Sequence, residues 1–185
     1  MAEQFTTLRA TATLPGSNLL PGYGVSMTTP YALSIHPATG AVQLGDFAVV
    51  LVPHMPVESV HKGFAALPQR AWDHHNGYAW IALDIPSLRL DGRPASLSLC
   101  FFEGRLGMLA LGVSLPDDED EEGWPTEQSS LRQVAFLRRT LAKQLGVSME
   151  EGVADFPWGR VWARFDPKGF MATAGIRYEP GDPVG

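Results

Sequence analysis

Apolar and polar positions alternate along several short stretches of this chain, and only twice do apolar residues settle into a three- and four-residue rhythm. Alternation is strand-like, because successive strand side chains point to opposite faces. From Tyr31, Leu33 and Ile35 alternate, residues 36–40 turn, Val42 and Leu44 alternate, Gly45 and Asp46 turn, and Phe47, Val49 and Leu51 alternate again. This predicts a three-stranded meander. After the polar break at 73–77, residues 78–90 read as one strand, and 95–102 and 106–115 as a hairpin around Glu103, Gly104 and Arg105. Leu97, Leu99 and Phe101 then share one face of its first arm.

The first helical rhythm is short. Pro56 suits a first helical turn, and Val57, Val60, Phe64 and Leu67 follow at helical spacing, predicting a helix over about 56–67. The second is longer: Pro125 and Thr126 open a helix over about 126–145, and Gly146 stops it. Its expected apolar stripe is Leu131, Val134, Ala135, Leu141, Ala142 and Leu145, with Arg132, Arg139 and Lys143 on the wet side. Residues 156–178, FPWGRVWARFDPKGFMATAGIRY, close the chain as a hairpin turned by Asp166, Pro167, Lys168 and Gly169, the glycine taking the positive angle. Val161, Ala163 and Phe165 share a face on one arm, as do Phe170, Ala172, Ala174, Ile176 and Tyr178 on the other. Arg160, Trp162 and Arg164 take the opposite side, either under another element or open to a partner.

Together these elements predict an α+β fold, mainly antiparallel sheet with one long and one short helix. Residues 1–30, broken by Pro15, Gly16, Pro21 and Gly22, read as a strand near 5–14 and a loop of the same domain, 31–180 as the domain proper, and 181–185 as a tail. A chain of 185 residues suits one core burying about two thirds of its unfolded surface. No apolar run approaches the roughly 20 residues that cross a bilayer, and the N-terminus lacks the basic start and apolar segment of a secretory signal. A cytoplasmic protein with no membrane partner is expected. Cys100, the single cysteine, reads as a packed thiol in a strand.

Charge changes this picture locally. Asp117, Asp118, Glu119, Asp120, Glu121 and Glu122 form an unbroken run that accounts for the whole net charge of −6, because the remaining acids equal the 14 Lys and Arg residues. Such a block repels phosphate backbones, so no nucleic acid is expected at that face. It reads as a solvated loop or as an electrostatic plug for a basic partner surface.

Motifs for chemistry are few. The chain has no Gly-x-Ser-x-Gly elbow, no HExxH pair, and neither a phosphate loop nor a dinucleotide-binding glycine signature. Asp73, His74 and His75 are the one dense cluster of metal-capable groups, with His54 and His61 as further ligands only if the fold delivers them. Adjacent histidines diverge and a zinc site needs three or four converging ligands, so the expected reading is a solvated turn and no cofactor. A ligand- or metal-binding pocket or enzyme near Asp73, His74, His75 and Trp80 stays as an alternative, as does a subunit completed by another chain. The oligomeric state is left open.

Two segments carry a resemblance. One is Leu33-x-Ile35 with Thr39-Gly40-x-Val42-x-Leu44-Gly45-Asp46; the other is Phe156-x-Trp158-Gly159-x-Val161, Phe165-Asp166-x-Lys168-Gly169 and Ile176-Arg177-Tyr178. With the strand order between them, residues 31–178 resemble small bacterial α+β proteins found among the toxin-immunity proteins of interbacterial competition, type VI secretion included. The resemblance implies a non-enzymatic cytoplasmic protein that neutralises a toxin or effector by binding it, with no catalytic residue to transfer. On that reading the partner contacts are residues 117–122, suited to a basic surface, and Arg160, Trp162 and Arg164.

Overall fold

A computed structural model describes residues 30–116 and 125–179. The expected strand near 5–14, the acidic run 117–122 and the tail 181–185 lie outside the described residues. Within them the elements run β1 (Leu33–Ile35), β2 (Val42–Leu44), α1 (Val57–Gly63), β3 (Gln69–Asp73), β4 (Tyr78–Leu83), β5 (Arg89–Leu90), β6 (Arg93–Phe102), β7 (Arg105–Val113), α2 (Glu127–Leu145), β8 (Val153–Phe156), β9 (Gly159–Asp166) and β10 (Met171–Tyr178). The fold is α+β, as the alternation predicts.

The main sheet is antiparallel throughout, in the order β3-β4-β6-β7-β10-β9-β8, with β5 paired to β6. Two meanders meet at its centre, where β10 pairs with β7. One face is the core. Ile81, Leu97, Leu99, Phe101, Leu109, Val161 and Ile176 are buried there with Leu137 and Leu141 of α2, Phe64 beyond α1, and the β1–β2 pair. Among the described residues no helix is long and apolar enough to cross a membrane.

Several expected elements take a different form. Residues 47–51 pair with β2 in strand fashion only at the Val42–Leu51 bridge, and Phe47 and Val49 turn to cover Phe64 and Gly63 instead of continuing a ladder. The short helix is α1 alone, with Pro56 as its extended N-cap. The predicted long strand 78–90 stops at Leu83, and Ser87 adopts a positive φ of 60° before β5. Strands β3 and β8 went unpredicted. Both lie at sheet edges with almost no buried position, so they leave no alternation to read.

Turn and cap chemistry is local and holds better. Thr126 and Ser129 exchange side-chain and backbone hydrogen bonds as a capping box at α2, and Gly146 ends it in the left-handed conformation. Glu103 and Gly104 both take positive φ in the two-residue β6–β7 turn, the geometry that matches strand twist. At the β9–β10 turn the carboxylate of Asp166 accepts the N–H of Lys168. There the positive φ falls on Phe170, at 53°, and not on Gly169.

A second device locks the two sheets together. The Trp158 indole donates to the carbonyl of Pro37 at 2.8 Å, and the Tyr178 hydroxyl donates to the carbonyl of Gly40 at 2.9 Å. Burial pushes the Tyr178 phenol well above its ordinary value. The folded protein therefore holds that proton more tightly than the unfolded chain does. Its contribution is complete below the unfolded value near 10 and is lost as pH rises through the folded one. Tyr178→Phe is expected to cost about 1 kcal/mol at neutral pH, by orphaning the Gly40 carbonyl, and to flatten the fall in stability above about pH 10. Urea midpoints at neutral and alkaline pH check both.

Candidate functional site

The second face of the main sheet is open. Side chains directly opposite on neighbouring strands share a face, so the register defines rows across the sheet. One row runs Trp72, Trp80, Cys100, Met108, Arg177, Arg160 and Asp155; the next runs Arg70, Ala82, Ser98, Ala110, Gly175, Trp162 and Val153. Among the described residues no helix or strand packs on these rows, since both helices sit on the core side. Trp72, Tyr78 and Phe102 are 48%, 46% and 45% exposed.

The face has a shape. Its floor carries the small residues Ser98 and Ala110, and beside them Gly175 is buried under the edge of the Trp162 ring. Toward one edge stand Trp72, Trp80, Tyr78 and Phe102, with the Tyr78 and Phe102 rings 4.8 Å apart. On the other side stand Arg160, Trp162 and Arg164. Two hollows meet at Arg177: one of about 600 Å³ bounded by Tyr78, Cys100, Phe102 and Met108, the other of about 390 Å³ bounded by Val153, Arg160, Trp162 and Arg164.

Its charge opposes that of the whole chain. Arg70, Arg105, Arg160, Arg164 and Arg177 lie on it or at its rim, against Asp155, Glu179 and Glu103. Arg160 grips Asp155 at 2.5 Å, and that hydrogen bond and charge raise the guanidinium pKa further. Burial likewise raises the Cys100 thiol, with the charge of Arg177 opposing it. This thiol is protonated at neutral pH and a poor nucleophile.

The fold thus brings together Arg160, Trp162 and Arg164, and no other described element covers them; the Trp162 ring lies beside Gly175. It does not gather the histidines. Asp73 ends β3 and accepts the N–H of His75 at 2.7 Å, His74 and His75 are exposed in the turn, and His61 meets Gln69 at 2.7 Å on α1. His54 stands beside Tyr178. Among the described residues no three His, Cys, Asp or Glu side chains form a metal-holding group. Sequence reasoning missed Arg177, Arg70, Trp80 and Phe102 as members of one surface. Trp80, Phe102 and Arg177 each alternate with a core residue and Arg70 lies on the exposed edge strand β3, but only the pairing of β10 with β7 unites them.

No protein-family model matches the chain, and no curated protein matches it significantly. Among solved structures it is similar to a chain of "Rhs1-CT in complex with cognate immunity protein RhsI1", with a TM-score of 0.50 over 82% of this chain and 90% of that chain, at 12% sequence identity. At that identity the likeness is one of fold.

Proposed function

We propose that this chain is a non-enzymatic protein-binding module of the immunity type, which neutralises a bacterial toxin in the cytoplasm by docking on it. The observation that carries the reading is the open sheet face, where exposed aromatic rings and arginines are the residue types that anchor protein interfaces. The shared fold with a chain from a toxin–immunity complex supports it. Arg160, Trp162 and Arg164 are proposed as partner contacts on that face. Residues 117–122 are proposed as a separate electrostatic contact for a basic patch of the partner.

Co-expression with each toxin-like domain encoded near its gene provides the test. The expected result is restored growth and a stable complex on gel filtration. Changing residues 117–122 to Ser and Asn should slow association and reduce its salt dependence while leaving the complex intact. Growth arrest unrelieved by the wild-type chain, with no complex formed, would sink the reading.

A further inference from the structure

We infer that the open face docks an acidic protein surface, with Arg164 and Arg177 receiving carboxylates and the hollow between Tyr78, Phe102 and Met108 receiving an apolar side chain. The inference rests on the protein-binding reading above and names the chemistry of the partner.

Charge complementarity carries it. A chain of net charge −6 concentrates five arginines on or around this one face. Among the described residues Arg70, Arg105, Arg164 and Arg177 form no ion pair, whereas Arg160 holds the carboxylate of Asp155 on the neighbouring strand through Nε. Guanidinium groups bind carboxylates through paired, directional hydrogen bonds. Shape agrees with charge. Beside Arg177 the 600 Å³ hollow has apolar walls at Tyr78, Phe102 and Met108 and charged ones at Glu103 and Arg105, room for one large apolar side chain of the partner flanked by an acid. Ser98 and Ala110 keep the middle of the face low, and the Trp162 ring lies beside them over Gly175.

A nucleic acid would also favour arginines and rings, but its phosphates form a continuous line of charge. Asp155, Glu179 and Glu103 stand among the arginines and would repel that line at three points. Separate carboxylates on a folded surface can be spaced between them.

The probe is a random copolymer of glutamate and tyrosine, titrated into the full chain while tryptophan fluorescence is followed. At low salt it should bind, and Arg164→Glu with Arg177→Glu should weaken binding by about tenfold or more. The pair Lys62→Glu and Lys143→Glu, on the helical side, makes the same change in net charge and should leave it almost unaltered. Should the double reversal fail to fold, Arg164→Gln with Arg177→Gln tests the same contacts. Absent copolymer binding, equal loss in the helical-side pair, tighter binding of oligothymidylate, or sedimentation showing a second copy on this face would each overturn the inference. The co-expression assay separates it from its premise. Protection retained by the double reversal removes the docking face and leaves the toxin role. Copolymer binding without wild-type protection removes the toxin role and leaves the face.

Discussion

Valine at position 175 is expected to destabilise the fold by roughly 3 kcal/mol and to unseat Trp162 from the open face. Gly175 lies in β10 between β7 and β9, opposite Ala110 on one side and Trp162 on the other. A Cβ there falls against the carbonyl oxygen of Leu109 and 2.7 Å from the edge of the Trp162 ring. The ring can swing away; the carbonyl belongs to the ladder and cannot move without spreading the two central strands. Both meanders join at this pairing, so strain there opposes the whole sheet. Urea unfolding followed by circular dichroism gives the stability, and the tryptophan emission maximum of the folded variant reports the ring. Gly107→Ala is the control, since nothing lies within 4 Å of its Cβ position and its φ is ordinary. A Gly175→Val variant as stable as that control would show that β7 and β10 are not so closely apposed.

The parts of this fold legible in the sequence are those set by neighbours along the chain. Gly104 and Gly146 announce a turn and a helix stop because their backbone angles exclude most side chains. The alternation of Leu97, Leu99 and Phe101 announces a strand because one of its faces is buried. Where burial is absent, the signal vanishes. Residues 69–73 form an edge strand whose exposure leaves no pattern. At the last turn the positive φ sits on Phe170, whose ring packs edge-on against Phe165 5.6 Å away, and not on the glycine beside it. The candidate site was only partly legible for the same reason. Arg160, Trp162 and Arg164 are seen together because one strand carries them, while Arg177 and Trp80 join them only through register.

Helix α2 provides the second large effect, and it separates the buried stripe from the apolar one. Hydropathy puts Leu131, Ala135 and Ala142 inward, yet Leu131 is 48% exposed and Ala135 lies open, while Leu137 is 1% exposed. The buried set includes Ser129, Ser130 and Thr140 alongside Val134, Leu137, Leu141 and Leu145. The inward face is therefore turned by roughly a quarter turn from the apolar stripe. Polar residues can be buried there because some have local partners: Ser129 completes the capping box and also donates to the Thr126 carbonyl. Hydropathy counts such residues as outside. Leu137→Ala is accordingly expected to cost about 3 kcal/mol, the transfer of its side chain plus the cavity left against the sheet. Leu131→Ala should stay within roughly 0.5 kcal/mol, as surface changes do. Chemical denaturation of the two variants, side by side, measures the orientation of the helix about its own axis. Equal costs would place Leu131 inward and turn α2 back by that quarter turn. That rotation would also move Arg138 away from the Ala163 and Glu150 carbonyls, which it now reaches at 2.9 Å each and through which it ties α2 to β9.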